Sequence, residues 1–218
     1  MIYVIGDSHA RSYRQGIPIL TEKLEGDSGN GIGWFEVGPA TAYNLIKDNS
    51  TVQAKKKIKA FIDKHGLQEK YVFVFGEIDC RLHVFDHYMR NGQTSMIEDY
   101  VTATVERYLL FLHHMKNYGV NFAVMTIPPT SLIQNTFHYK NWAAVDLRAK
   151  IHAMFNSALK AACRVNGFQV IDFYGKVADE QGHALEGTTS DGCHLHTHVA
   201  TPLLVKELKR IGWMENGT

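Results

Sequence analysis

Three blocks of this chain hold residues that together can activate a hydroxyl group. Gly6-Asp7-Ser8-His9 follows the apolar run 2–5, Gly76-Glu77-Ile78-Asp79-Cys80-Arg81 follows the run 71–75, and Asp191-Gly192-Cys193-His194 lies near the C-terminus. A serine hydroxyl is a weak nucleophile and needs an adjacent base. An imidazole can take its proton, and a carboxylate can orient that imidazole and stabilise its cation. Asp191 three residues before His194, within a turn, has the spacing for the second of these pairings. Gly6 permits a tight turn, so that Ser8 stands where a buried run gives way to polar chain. The tripeptide recurs as Gly26-Asp27-Ser28, but no apolar run precedes that copy and Gly29, Asn30 and Gly31 follow it, so it reads as a loop. Context, not the tripeptide, selects Ser8. Each block also has a plainer reading, since Asp7 and Ser8 both suit a helix cap and Asp191 can cap a helix beside a solvated His194.

Elements must exist to bring these blocks together. Apolar runs at 2–5, 34–37, 71–75, 122–127 and 168–171 are four to six residues long and rich in Val, Ile, Phe and Tyr. Continuous apolarity fits strands buried on both faces, as in a parallel sheet. Helical patterns at about 40–46, 52–64, 95–117, 142–166 and 198–211 lie between or after them. In the third, Ile97, Val101, Val105, Leu109 and Leu112 recur at helical spacing, and Gly119 and Gly167 stand as stops after the third and fourth. Strands alternating with long helices predict an α/β fold, a doubly wound α/β sandwich, as one domain over residues 1–218. In such a sheet ligands bind beyond the carboxyl ends of the strands. The residues placed there are Gly6–His9, then Gly38-Pro39-Ala40-Thr41, then Gly76–Arg81, then Pro128-Pro129 with a polar loop over 130–140, and lastly Asp172 with the block Asp191–His194.

Taken in order, Gly6-Asp7-Ser8-His9, Gly38, the glycine-acid block 76–79 and Asp191-x-x-His194 resemble the SGNH/GDSL hydrolase superfamily. The four blocks span residues 6 to 194. The resemblance implies a three-layer α/β/α sandwich with a parallel, roughly five-stranded, flavodoxin-like sheet, and a serine esterase or acyl-transfer activity that needs no cofactor or metal. It implies Ser8 as nucleophile, Asp191 and His194 as its partners, and an oxyanion hole built from the N–H groups of Ser8 and Gly38. The family's third block normally reads Gly-x-Asn-Asp, whose asparagine donates to the oxyanion. Here Ile78 occupies that position and cannot donate, and losing one such donor typically costs about 10²–10³ in rate. Arg81, three residues on, is the candidate replacement, since a guanidinium can hydrogen-bond an oxyanion while carrying full charge. Glu77 or Asp79 could hold Arg81 in place, and the alternative is that the three merely brace the loop. Asp7, His9, Glu77 and Asp79 are read as substrate-binding or loop-supporting residues, and His83 and His87 as an extension of the same loop.

Composition narrows the field. With 218 residues the chain is long enough to bury a core without staples. Lys and Arg number 23 against 22 Asp and Glu, a net charge of +1, which argues against a nucleic-acid binder. Three widely spaced cysteines, Cys80, Cys163 and Cys193, argue against a disulfide framework or a structural zinc site, so a reducing, cytoplasmic setting is expected. No apolar run approaches 18 residues and the N-terminus lacks a secretory pattern, so no membrane partner is expected. The alternation His194-Leu195-His196-Thr197-His198 raises a zinc-dependent phosphoesterase, but that chemistry wants an Asn-His pair after a middle strand and none occurs. Gly-x-Ser-x-Gly is also absent. Expected substrates are small acyl esters, with carbohydrate O-acetyl groups the most natural, because Tyr43, Asn44, Phe85, Tyr88, Tyr139 and Trp142 suit sugars better than long acyl chains. A non-catalytic or acyl-transferring member of the same fold is the alternative, motivated by Ile78.

Overall fold

The computed structural model describes residues 1–14, 25–27, 31–130 and 140–215. Six strands form one sheet in the order β2-β3-β1-β4-β5-β6. They are β1 (Ile2–Gly6), β2 (Glu25–Asp27), β3 (Ile32–Glu36), β4 (Lys70–Val74), β5 (Asn121–Met125) and β6 (Gln169–Ile171). All pairings are parallel except β2 on β3. The five parallel strands therefore run, by chain order, second-first-third-fourth-fifth, which is the flavodoxin-like winding. Its switch point falls at β1, whose neighbours β3 and β4 lead off in opposite directions.

The five apolar runs become the five parallel strands. The sixth strand corrects the loop reading of Gly26 and Asp27, which lie in β2. Nothing in its own residues favours a strand; it forms because the open edge of β3 offers a ladder. Gly26 pairs with Trp34, and a Cβ there would sit 3.1 Å from the indole. Ser28 and residues 131–139 of the polar loop, Tyr139 among them, lie outside the described residues.

Helices α1 (Ala54–His65), α3 (Ile97–Asn117) and α4 (Val145–Val165) cover one face. Their buried Ile58, Phe61, Phe111, Leu112, Phe155 and Leu159 meet Ile5, Tyr71, Phe73 and Val124 from the sheet. The other face carries Val4, Val72, Val74, Ala123 and Ile171, under Leu204 and Leu208 of α6 (Thr197–Arg210) and Tyr13 of a 3₁₀ turn (Ser8–Tyr13). Strand residues alternate between the two cores, and each fully buried Ile, Leu or Phe contributes roughly 1.5–3 kcal/mol. The pattern at 40–46 shrinks to a 3₁₀ turn, Ala42–Asn44. A larger departure follows β4. The segment read as a loop through His83 and His87 is helical, a π-helical turn (Asp79–His83) running into α2 (Val84–Arg90), with Val84 and Asp86 buried. A last short helix, α5 (Tyr174–Val177), follows β6.

Candidate active site

Ser8 begins the 3₁₀ turn directly after β1, and Asp7 is its cap, accepting the His9 N–H at 2.9 Å. Gly6 is required just before it, because a Cβ at that position would lie 2.6 Å from both the Val74 side chain and the Val74 carbonyl. The neighbouring strand thus leaves room for no larger residue, and β1 delivers Ser8 at the switch point.

Asp191 and His194 come from the loop before α6. Its stem is closed by Ser190 N–H on the His194 carbonyl at 2.8 Å and by His196 N–H on the Thr188 carbonyl at 2.9 Å. Leu195 is buried in the core below and pins the loop. Asp191 Oδ1 accepts the N–H groups of Cys193 (2.9 Å) and His194 (2.8 Å), a local turn that aspartate favours. Its other oxygen, Oδ2, accepts the His194 Nδ1–H at 2.6 Å, and the Ser8 hydroxyl donates to His194 Nε2 at 2.7 Å. Residues 186 positions apart thus form one continuous chain, Asp191–His194–Ser8. Burial lowers the His194 pKa below its ordinary 6.5, and the nearby charge of His9 adds to this, outweighing Asp191. Burial opposes ionisation of Asp191, but its backbone donors and His194 hold it down at about 2. A neutral imidazole on a serine hydroxyl is poised to take that proton.

A second, deeper pair lies alongside. His9 Nδ1 meets Asp7 Oδ1 at 2.8 Å, and the rings of His9 and His194 are 4.7 Å apart. Burial would lower the His9 pKa, but the Asp7 carboxylate raises it well above 6.5. Cys193 Sγ stands 3.8 Å from His9 Nε2 and 3.7 Å from Glu77 Oε1. Glu77 is buried, yet His9 and Arg81 together hold its carboxyl at about 2. Arg81 Nε donates to Glu77 Oε1 at 2.6 Å, so Glu77 is the acid that holds it. Asp79 faces another way: its carboxylate accepts the N–H groups of Ala42 (2.7 Å) and Tyr43 (3.2 Å), tying the third block to the turn after Gly38. Burial nevertheless raises the Asp79 pKa to about 7. Asp7, His9, Glu77 and Asp79 are all at most 4% exposed and bonded inward, as support residues are. Gly38 adopts φ +106°, a conformation that glycine enters readily, where the chain turns off β3. Ile78 carries no polar side-chain group and is itself buried.

Several buried polar residues near this layer escape the sequence reading. Arg148, His152 and Asn156 are buried on α4 at successive four-residue steps. His152 Nδ1 bonds the Pro128 carbonyl at 3.0 Å, and the Asn156 amide brackets Ile127, accepting its N–H at 2.9 Å and donating to its carbonyl at 3.0 Å. Arg148 stacks over Trp142, 4.6 Å from the ring centre. The legible signal is polar residues at helical spacing on an otherwise apolar face. Cys193 had none. His196 and His198 have rings 4.9 Å apart at the start of α6. A cleft of about 410 Å³ opens beside Asp79, lined by Thr41, Tyr43, Asn44, His83, His87 and Tyr100. Of the other aromatics, Phe85 packs against the core and Tyr43 lies under Arg107, 4.7 Å from its ring centre. Among the described residues no helix is long and apolar enough to cross a membrane.

No family model matches the chain, and no curated protein matches it by sequence. Solved structures do match in three dimensions. A GDSL-like lipase from Bacteroides thetaiotaomicron superimposes with a TM-score of 0.62 at 15% identity, over 97% of this chain and 88% of that one. An acetylxylan esterase from Geobacillus stearothermophilus gives 0.56 at 13% identity, over 99% and 96%. A lipase/acylhydrolase from Enterococcus faecalis gives 0.53 at 13%, over 100% and 98%. At these identities the likeness is one of architecture, and it runs nearly end to end: the chain has the three-layer α/β/α fold of the SGNH/GDSL hydrolases.

Proposed function

We propose that the protein is a serine esterase that cleaves small acyl esters through Ser8. The observation that carries this reading is the Asp191–His194–Ser8 chain, with links of 2.6 and 2.7 Å. In the reaction, Ser8 Oγ attacks the acyl carbon while its proton passes to His194 Nε2. Asp191 keeps the other nitrogen protonated and balances the imidazolium. The imidazolium then protonates the leaving alcohol, and water activated by the same imidazole releases the acid. The N–H groups of Ser8 and Gly38 serve the oxyanion, with the Arg81 guanidinium, braced by Glu77, in place of the donor that Ile78 cannot supply.

Carbohydrate O-acetyl groups are the substrate class we favour. The cleft beside Asp79 is walled by short polar and aromatic side chains, and a structural neighbour is an acetylxylan esterase. A fluorophosphonate probe tests the nucleophile: wild type should be labelled and Ser8→Ala should not. A panel of p-nitrophenyl esters and acetylated sugars then reads the class, with acetyl preferred over longer chains. Equal labelling of Ser8→Ala, or none of the wild type, would overturn the assignment.

A further inference from the structure

Cys193 has no part in the ester chemistry, yet it stands between two histidines of the same kind. One ligating atom from each of His9, Cys193 and His194 lies within 4.8 Å of the others. His9 and His194 are each tied at Nδ1 to a carboxylate, Asp7 at 2.8 Å and Asp191 at 2.6 Å. Each therefore leaves Nε2 as its free ligating nitrogen; that of His9 lies 3.8 Å from the thiol, and that of His194 accepts from Ser8 Oγ in the metal-free protein. A carboxylate behind the far nitrogen of an imidazole is the usual support of a metal-bound histidine, because it fixes the ring and raises its basicity. Here that support is present twice.

The donor set and the edge between Cys193 and His9 suit one metal class, and the remaining edges, within 4.8 Å, must shorten around an ion. Tetrahedral zinc with bonds of about 2.3 Å to sulfur and 2.0–2.1 Å to nitrogen spaces its sulfur and nitrogen ligands about 3.5 Å apart. Cys193 Sγ and His9 Nε2 are 3.8 Å apart, so closing on an ion takes a few tenths of an ångström on that side. A thiolate with two imidazoles favours zinc, cobalt or copper over magnesium or calcium, which take oxygen ligands. Entry is possible because Cys193 and His194 are only partly buried.

We infer that His9, Cys193 and His194 form a site for a zinc-class divalent cation, and that the ion holds the enzyme inactive by occupying the basic nitrogen of His194. Binding displaces any proton on Cys193 Sγ and His9 Nε2 to solvent and forms three metal–ligand bonds. Ser8 Oγ, hydrogen-bonded to His194 Nε2 in the metal-free protein, loses its base. The inhibitory half of this inference rests on the esterase reading; the binding half does not.

Cobalt(II) titrated into the metal-free full-length protein separates the two. One equivalent should bind with thiolate-to-cobalt charge-transfer absorption. Cys193 is its only accessible source, since Cys80 and Cys163 are buried. Zinc should displace the cobalt and abolish fluorophosphonate labelling of Ser8, and a chelator should restore it. Cys193→Ser should lose the absorption and bind zinc roughly tenfold or more weakly, yet still be labelled with or without zinc at the concentration that silences wild type. His9→Gln, which leaves the thiol in place, should weaken binding comparably and serves if the cysteine variant does not fold. Cobalt bound without the charge-transfer band, or zinc affinity unchanged in both variants, would overturn the site. Zinc bound at the site with labelling undiminished would overturn the inhibition. Labelling absent from metal-free wild type would instead strike the esterase reading and leave the cobalt spectrum to judge the site.

Discussion

Asp7–His9 and Asp191–His194 are built alike and behave oppositely. Each is a carboxylate bonded to Nδ1 of a histidine a few residues away, and the two rings lie 4.7 Å apart. The Asp7 side chain is 1% exposed and that of His9 5%, whereas Asp191 and His194 are 54% and 24% exposed. Asp191 also divides its charge among two backbone N–H groups and solvent, while the second oxygen of Asp7 is buried without a partner. The Asp7 carboxylate, with a single backbone donor and no solvent, outweighs the cost of burying a cation and raises the His9 pKa well above 6.5. That cation beside His194 helps to keep the second ring neutral. In the metal-free protein the same motif thus favours a cation in one setting and a neutral base in the other, and the environment of the carboxylate decides which.

Breaking one pair at a time gives the largest contrast. His194→Ala should lower kcat by roughly 10⁴-fold or more, and combining it with Ser8→Ala should cost little further, because the residues act as one unit. Asp191→Asn should cost less than His194→Ala. His9→Gln should retain most of kcat at neutral pH; an equal loss in steady-state kinetics would refute the division of roles.

The deeper half should matter more for stability. Glu77→Gln removes the buried carboxylate to which Arg81 donates and should destabilise by roughly 3 kcal/mol at neutral pH in urea titrations. The pH dependence has a definite sign. Glu77 is held at about 2 against an ordinary 4.5, so its contribution is present above 4.5 and lost as pH falls towards 2. Asp79, raised from 3.8 to about 7, does the reverse: its contribution is present below 3.8, declines as pH rises towards 7 and is gone above it, and Asp79→Asn should flatten that slope. Stability curves that ignore both substitutions would count against this picture of the buried layer.

Arg81→Ala asks whether the deeper half also touches the reaction. If the guanidinium serves the oxyanion, kcat should fall roughly 10²-fold with little change in KM. Full activity in a protein with a lowered Tm would make it a brace alone. The smallest effect is in the pH profile. The base must be neutral, and the His194 pKa is lowered, so the acid limb of kcat/KM should lie below 6.5. Removing the neighbouring cation in His9→Gln should move that limb upward, and an unmoved limb would show that His9 carries no charge there.

Much of this was legible in the residues. Each of the five apolar runs is a parallel strand, because strands buried on both faces must be continuously apolar. Ser8, Asp191 and His194 stood out because their local spacing matched a turn and a strand end. Other parts gave no local signal. β2 is a strand only because β3 has an open edge, and Asp79 serves the turn at Ala42 only because β3 and β4, flanking β1, end at the same edge of the sheet. Arg148, His152 and Asn156 showed only a polar four-residue spacing, and what His152 and Asn156 bond emerged once α4 was laid against the loop after β5.

The order of polar and apolar residues by itself determined a doubly wound parallel sheet with its polar blocks beyond the strand ends, since alternating strands and helices with right-handed crossovers leave few other arrangements; the flavodoxin-like winding came from the resemblance of the four blocks. It also determined that a serine, a histidine and two candidate acids would stand in those blocks. Only the tertiary structure decided which histidine holds a proton, which acid holds Arg81, and that Cys193 lies between two imidazoles. Those outcomes depend on distance and burial between residues up to 186 positions apart, and electrostatic energy at short range follows separation and solvent access rather than place in the chain.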